Sequence, residues 1–527
     1  MVVSSEAHAT RAGVEILRKG GNAVDAAVAV GLALAVTDPW AGNLGGGGFM
    51  LVRMADGRTS FLDFRERAPA AASRDMYLDG DGTPTRESVE GYRASGVPGT
   101  VRGFEMALQK FGSVPWANLV EPAIRLARDG FPLSWSLAES LRTSERLSQF
   151  PESRRIYQRD GRFYEMDEVL RQPDLAATLE RLARRGPGEF YEGETARLIA
   201  ADMAKNGGLI TLEDLRNYAA VERQPLRSRY KDYELLLAPP PSSGGVGIGQ
   251  MLHMLEGSGY EKSGPGSSAA IHYVAEVMRR YFADRAEHFG DPDFSPVPAE
   301  GLLSQNYALE RRASIDDTRA TPSASLSAGK PVGREKSETT HYSVIDSAGN
   351  AVAVTYTLNG FFGSGVTARG TGVLLNNEMD DFTVKPGEPN MYGALQSEKN
   401  AIEPGKRPLS SMTPTIVLRG GKPFLVLGAA GGPTIISVVL QVITNVVDFE
   451  MNVQQAVDFP RFHHQWMPDE LRLERHGISH DTIQLLQVRH HKIAFVDAIG
   501  RVAAIQAADG WLLGAPDARS EGFAAGY

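Results

Sequence analysis

Two threonines open the stretch Thr339-Thr340-His341-Tyr342-Ser343, and their place in the chain makes Thr339 a candidate nucleophile that the protein itself exposes. Upstream, residues 315–338 are rich in Ser, Ala, Pro, Gly and charge without an apolar period, so they read as a flexible segment ending at Glu338. Downstream, Thr340–Ile345 and 351–358 read as two strands around the turn Asp346-Ser347-Ala348-Gly349-Asn350. If Ile345 faces Ala351, then Thr339 faces Thr357, with Cβ atoms roughly 4.5–5.5 Å apart. A threonine leading a strand, beside a second hydroxyl, has what an N-terminal nucleophile needs. Its hydroxyl would first attack the Glu338 carbonyl, giving an ester that water cleaves. The freed α-amine, with a reference pKa of about 7.7–8.0, would then take the hydroxyl proton. On spacing alone, the plainer reading of Thr339 and Thr340 as β-branched strand residues is the stronger one.

Other groups could handle a charged ligand. Arg65, ending a strand in Asp63-Phe64-Arg65-Glu66, carries a fork suited to a carboxylate, although an arginine among charges is more often a surface pair. Glu378, Asp380, Asp381 and Asn359 offer acceptors for an ammonium; the Asp pair serves equally well for a divalent ion or a turn cap. Gly431-Gly432 follows an apolar strand and precedes a helix, which permits either a plain turn or close backbone approach to an oxyanion. Gly45–Gly48 and Gly245-Val246-Gly247-Ile248-Gly249 lack phosphate-loop spacing and read as structural. The pairs His463-His464 and His490-His491 lack metal-ligand spacing, and neighbours on a strand face opposite ways.

These groups need a layered scaffold. Ser5 can cap a helix reaching about Lys19, stopped by Gly20-Gly21, and an apolar helix over 23–36 has the small residues of a buried element. Strands are expected at 49–54, Thr59–Phe64 and Tyr233–Leu237, the last ended by a Pro/Ser/Gly run. Residues 100–230 alternate amphipathic helices with loops, 175–185 being a clear case with Asp174 as cap, and helices fill 268–289. Beyond Thr339 come strands at 415–418 and 424–428 and a helix over 435–447. The mixture fits α/β layers but selects no topology. At 527 residues the chain suits several units or one large layered domain. A net charge of −9 argues against a nucleic-acid partner, and the absence of cysteine excludes thiol catalysis and disulfides. The most apolar run, 26–36, is too short to span a membrane. Residues 1–6 lack the basic region and apolar core of a signal peptide.

The stretch at 339–343 resembles the start of the small subunit in the γ-glutamyltranspeptidase family. Further motifs in order carry the resemblance across residues 4–527: Asn22-Ala23-Val24-Asp25-Ala26-Ala27, Asn43-Leu44-Gly45-Gly46-Gly47-Gly48-Phe49, the Asp63–Glu66 motif, Leu375-Asn376-Asn377-Glu378-Met379-Asp380-Asp381-Phe382, Arg407-Pro408-Leu409-Ser410-Ser411-Met412 and Pro460-Arg461-Phe462-His463-His464-Gln465. The resemblance implies a four-layer αββα sandwich of the N-terminal nucleophile hydrolase type, built jointly by a large subunit, 1–338, and a small one, 339–527. It implies cleavage between Glu338 and Thr339, with Thr357 positioning the nucleophile and Gly431 and Gly432 forming the oxyanion hole. It also implies an amino-acid clamp: Arg65, Ser410 and Ser411 for a glutamyl carboxylate, and Asp381, Glu378 and Asn359 for the ammonium. A lid over 386–405 would bring Tyr392. The implied activity is transfer of a γ-glutamyl group from glutathione or similar amides to water, amino acids or dipeptides, with no cofactor. Relatives carry a leader before this point, so a periplasmic or secreted location is implied. The alternatives are a glutaryl or cephalosporin acylase of the same superfamily, or an unprocessed binding protein. Pro516-Asp517-Ala518-Arg519 replaces the Asp-Pro-Arg often found near the tail, and is expected to affect packing only.

Overall fold

The computed structural model describes residues 1–326, 339–388, 390, 391, 393 and 395–527; Glu338 and Tyr392 lie outside the described residues. Among those described, two large antiparallel sheets lie face to face. The first runs in the order Phe523–Ala525, Val2–Ser4, Thr340–Ile345, Ala351–Thr357, Gly47–Arg53, Thr59–Phe64, Val221–Arg223. The second runs Trp511–Pro516, Arg501–Ala508, Lys422–Ala430, Thr415–Arg419, Tyr233–Leu237, Leu226–Tyr230.

Alternation along the strands sorts the core. Met50, Val52, Tyr342, Val344, Val354 and Tyr356 point outward from the first sheet into a cluster with the helices Ala7–Arg18, Ala23–Thr37 and Thr100–Phe111. Phe49, Leu51, Phe61 and Ala353 point the other way and cluster with Leu425 and Leu427 of the second sheet. That cluster continues into the helices Gly244–Leu255, Ser268–His288 and Thr434–Val447. The result is the αββα sandwich. Helix Ala23–Thr37 is buried on every side because its residues are small. A Cβ on Gly31 would lie 2.4 Å from the Phe104 ring and 2.6 Å from the Tyr342 hydroxyl, so glycine is what admits both.

The central hairpin is locked at both ends. Ile345 pairs with Ala351 and Thr340 with Tyr356, as the turn reading requires. Asp346 in the turn accepts hydrogen bonds from the Asn350 backbone and from the N–H of Ala23, which ties the hairpin to the buried helix. His341, Ser343 and Thr355 face the second sheet: His341 bonds the Thr355 and Ser343 hydroxyls at 2.8 and 3.1 Å, and Ser343 donates to the Ala503 carbonyl at 3.0 Å. Burial pushes His341 down to about 3, so it is a neutral staple between sheets.

Two caps differ from expectation. Glu6, not Ser5, caps the first helix, its carboxylate accepting from the N–H groups of His8 and Ala9, while Ser5 is drawn to Asp38 and Thr340. Gln172, not Asp174, precedes helix Pro173–Arg185, because Pro173 occupies its first position and Asp174 turns to Arg155. The described part of the upstream segment makes specific contacts: Thr321 N–H donates to Glu276, Ser323 N–H to Asp469, and the Trp466 indole to the Ser323 carbonyl.

Candidate active site

Thr339 is buried and immediately precedes the strand Thr340–Ile345. The ladder ends at the pair Tyr356–Thr340, one step short of Thr357, and Thr339 and Thr357 line the same small cavity of about 20 Å³. Asn359 follows with φ of 75°, an allowed left-handed turn for asparagine, and its N–H donates to the Thr357 hydroxyl at 2.8 Å. Its side chain also lines the cavity and donates to the Asn377 carbonyl.

Arg65 enters from the end of strand Thr59–Phe64 and is fully buried. Its guanidinium donates to the Pro408 and Leu409 carbonyls at 3.2 and 3.1 Å, and to the carboxylates of Glu378 and Asp381. Glu66 stands 3.6 Å away. Burial opposes the arginine's charge, but the three carboxylates outweigh it and raise its pKa. Burial pushes Glu66 up to about 7, with Arg65 offsetting part of the effect, and holds Glu378 well above the usual carboxylate range. Both Glu66 oxygens and one Glu378 oxygen are buried without a hydrogen-bond donor among the described residues. A buried acceptor in that state is expensive unless a donor arrives. The pocket thus presents two engaged cations, Arg65 and Arg285, and one unmet acceptor, the second oxygen of Glu378.

Ser411 accepts from Arg285 at 3.0 Å, and Arg285 also donates to Ser243. Ser410 accepts from the Met412 N–H through its hydroxyl, while its carbonyl takes the Ser243 N–H. Gly431 and Gly432 have φ of 134° and 54°. A Cβ on Gly431 would fall 2.5 Å from the Thr434 hydroxyl and 3.0 Å from the Gly500 Cα, so the turn before helix Thr434–Val447 admits only glycine there. Gly432 lines the cavity beside Thr339.

Two described residues of the loop after residue 386 reach these groups. Met391 N–H donates to Asp380 at 2.8 Å, the Asn390 side chain reaches Asp381 at 3.3 Å, and Ser88 donates to Asp380 at 2.7 Å. Asp380 therefore anchors the loop, while Asp381 turns to Arg65. The structure brings together Thr339, Thr357, Asn359, Arg65, Glu378, Asp381, Ser410, Ser411 and Gly432 in one cavity, with Gly431 adjoining. Sequence reasoning passed over Arg285, which lies mid-helix without a local signal. It also passed over Glu66, quoted only as part of a motif.

His272, Glu276 and His491 lie close enough together to face one ion, within 4.8 Å. His272 and His491 already bond one another at 2.8 Å, and Glu276 is engaged by Arg279 and Arg280. The group reads as an internal network and lines neither cavity at Thr339. The two glycine-rich runs serve close packing: Gly46 lies against the Thr357 carbonyl, and Gly247 against the Tyr281 ring.

The family profile described as Gamma-glutamyltranspeptidase matches residues 9–527. The glutathione hydrolase proenzyme of Escherichia coli (strain K12) is 51% identical over 532 residues, covering 100% of this chain and 92% of that protein. The crystal structure of cephalosporin acylase from Bacillus halodurans superposes with a TM-score of 0.87 at 28% identity, over 100% of this chain and 95% of the other. A chain of Helicobacter pylori γ-glutamyltranspeptidase covers 62% of this one, and 94% of itself, with a TM-score of 0.61 at 42% identity.

Proposed function

The chain belongs to the γ-glutamyltranspeptidase family and is an enzyme of the glutathione hydrolase and γ-glutamyltransferase type, and from that premise we propose that Thr339 is its nucleophile and Arg65 the centre of its donor clamp. The observation that carries this reading is the buried Arg65 with Glu378 and Asp381 in the cavity that Thr339 lines. Without substrate, Arg65 is held by the carboxylates of Glu378 and Asp381, and one Glu378 oxygen stays unmet. A γ-glutamyl donor brings one carboxylate and one ammonium on the same carbon. Its carboxylate takes Arg65, with Ser410, Ser411 and Arg285 alongside; its ammonium takes Asp381, the unmet oxygen of Glu378 and the Asn359 side chain. The exchange keeps the net charge of a buried site unchanged, which is why both groups are required together.

With the α-carbon held, the γ-carbonyl reaches Thr339. The hydroxyl oxygen bonds to that carbon and gives its proton to the α-amine of Thr339, while the N–H groups of Gly431 and Gly432 hold the oxyanion. The C–N bond then breaks, the α-amine passes the proton to the leaving nitrogen, and a γ-glutamyl ester remains on Thr339. Water, an amino acid or a dipeptide attacks that ester and regenerates the hydroxyl. Every step uses groups of the chain itself. The α-amine exists only after cleavage between Glu338 and Thr339, which leaves subunits 1–338 and 339–527 as a heterodimer. The description of the relative as a proenzyme, and a solved relative's chain covering 62% of this one, support that processing. We infer from the family a periplasmic or secreted location; no helix among the described residues is long and apolar enough to cross a membrane.

The acylase reading draws on the superposition with cephalosporin acylase. A glutaryl group lacks the ammonium and would leave Asp381 and Glu378 without a donor. The test is a substrate pair, γ-glutamyl and glutaryl anilides differing only in the amine. The glutamyl compound should be cleaved at least about a hundred-fold faster, because unmet buried acceptors discriminate strongly. Equal rates would overturn the clamp.

A further inference from the structure

Ser410 and Ser411 line the small cavity together with Arg285, which reaches it from helix Ser268–His288. All three are buried. Arg285 donates through Nη2 to the Ser411 hydroxyl and through Nε to the Ser243 hydroxyl, each at 3.0 Å. Ser243 in turn donates to the Ser410 carbonyl at 2.9 Å. The Ser243 carbonyl accepts from the hydroxyl of Tyr281, one helical turn before Arg285, at 2.9 Å. Helix and serine pair are therefore joined at Ser243 twice, once through its side chain and once through its backbone.

The direction of these bonds decides what the serines can offer. A guanidinium has only donors, whereas a hydroxyl has one proton and two lone pairs. Ser411 must therefore accept from Arg285, and its proton cannot point back along that bond. Ser410 is committed in the same sense, because its hydroxyl accepts from the Met412 N–H at 3.1 Å. Neither O–H finds an acceptor among the described residues. Two buried hydroxyls thus meet the cavity with a proton to give, which suits an anionic oxygen.

We propose that Arg285 is a positioning residue for donor recognition: by occupying a lone pair of Ser411 and, through Ser243, steadying the Ser410 backbone, it turns both serine hydroxyls toward the donor's α-carboxylate. The inference rests on the γ-glutamyl reading of the clamp and deepens it. Arg65 supplies the charge that a carboxylate answers, and Arg285 fixes the direction of the hydroxyls beside it. Together they separate a carboxylate from a carboxamide of nearly the same shape. A carboxamide sets its own N–H groups against one of these donors, and the buried pair is left unmet.

The experiment uses the processed enzyme and two γ-anilide donors that differ only at the α-carbon, one bearing a carboxylate and one a carboxamide. The wild type should favour the carboxylate at least about a hundred-fold in kcat/KM. Arg285→Gln offers Ser411 a side-chain carbonyl as well as an N–H, so the hydroxyl can turn away from the cavity. The preference should then fall roughly ten-fold, through a higher KM for the carboxylate donor, while the carboxamide donor changes little. Arg285→Lys, which can only donate, should recover part of it. Ser411→Ala removes a hydroxyl that Arg285 orients, so adding Arg285→Gln to it should cost less than Arg285→Gln costs alone. Equal losses on both donors would show a merely structural role and overturn the proposal, as would losses that add in full in the double variant. Ser243→Ala, a smaller change on the same path, keeps the test open if Arg285→Gln does not fold: it too should lower the preference and spare the carboxamide donor, and an equal loss on both would overturn the proposal there. A failed clamp shows differently, as a wild type that does not distinguish the two donors. A wild-type preference that Arg285→Gln leaves intact removes the role of Arg285 alone.

Discussion

The two cavities that meet at Thr339 differ in every property except that residue. One is about 20 Å³ and lined by Arg65, Glu378, Asp381 and Arg285; the other is about 360 Å³, with apolar walls at Trp40, Phe131, Leu133 and Leu137 and with Glu6, Asp38, Asp167, Glu521 and Arg501 also lining it. On the proposed reading, selectivity in the small one comes from buried charges that a matching zwitterion satisfies. In the large one, burial of apolar area is non-directional and tolerates many shapes. A transferase needs this asymmetry. It must insist on one acyl group and accept many amines, and a small charged cavity beside a larger one with apolar walls at a single hydroxyl suits that division.

The largest effect comes from removing what both cavities share. Thr339→Ala should leave one chain near 57 kDa on a denaturing gel, whereas the parent should separate into fragments 1–338 and 339–527 by mass spectrometry. Turnover should be undetectable. A variant that still breaks between Glu338 and Thr339 removes Thr339 from both cavities' chemistry at once.

Next is the clamp alone. Asp381→Ala or Arg65→Ala takes one member from a buried charged group, a loss of roughly 2–5 kcal/mol, or about 30- to 5,000-fold in kcat/KM for a γ-glutamyl anilide. Glutaryl anilide should lose far less in Asp381→Ala, so the preference for the amine narrows. A processed Asp381→Ala enzyme with near-normal kcat/KM would show that the small cavity is not the selective one.

A smaller effect is expected at the turn between the two sides. Gly431→Ala would force the Thr434 hydroxyl and the Gly500 backbone apart at a φ of 134°. Misplacing one oxyanion donor lowers kcat by roughly 100- to 1,000-fold in measured cases. We expect the lower end, with KM nearly unchanged, in the processed fraction. A change confined to KM would place this turn in ground-state binding.

How much of this was legible in the chain depended on distance. The hairpin 340–357 follows from alternation and a turn sequence, and the structure reproduces its register from Ile345–Ala351 to Thr340–Tyr356. Helix Ala23–Thr37 follows from small apolar residues after the Asn22 cap. The order of the strands does not follow from any local pattern. Neighbours such as Val2–Ser4 and Thr340–Ile345 are hundreds of residues apart, and here the family resemblance supplied the architecture. The clamp was legible only through its motifs. Arg285 was missed because it sits within helix Ser268–His288 and becomes a site residue only where Ser411 packs against it. Ser5 was misread for the same reason. Its hydroxyl looks like a cap locally, but Asp38 and Thr340 compete for it from other elements, and they belong to the polar edge of the larger cavity.

That edge provides the smallest effect and a test independent of turnover. Burial pushes Asp38 up to about 6 from its ordinary 3.8, against the hydrogen bond from Ser5, the charge of Arg501 and the hydrogen bond from Thr340. A carboxyl whose pKa is higher in the folded state binds its proton more tightly there than when unfolded. Its contribution to stability is therefore greatest at low pH and declines as pH rises from about 4 to about 6, above which it is constant. The shift corresponds to about 3 kcal/mol across that window. Asp38→Asn removes the titration and retains a carbonyl that can accept from Ser5. Whatever its absolute Tm, the variant should gain on the parent between pH 4 and pH 7, and the gain should level off above pH 7. A difference in Tm between the two proteins that stays flat across that range would mean Asp38 is solvated and charged throughout. The polar edge of the large cavity would then be an open surface, and the contrast between the two sides of Thr339 would be one of size alone.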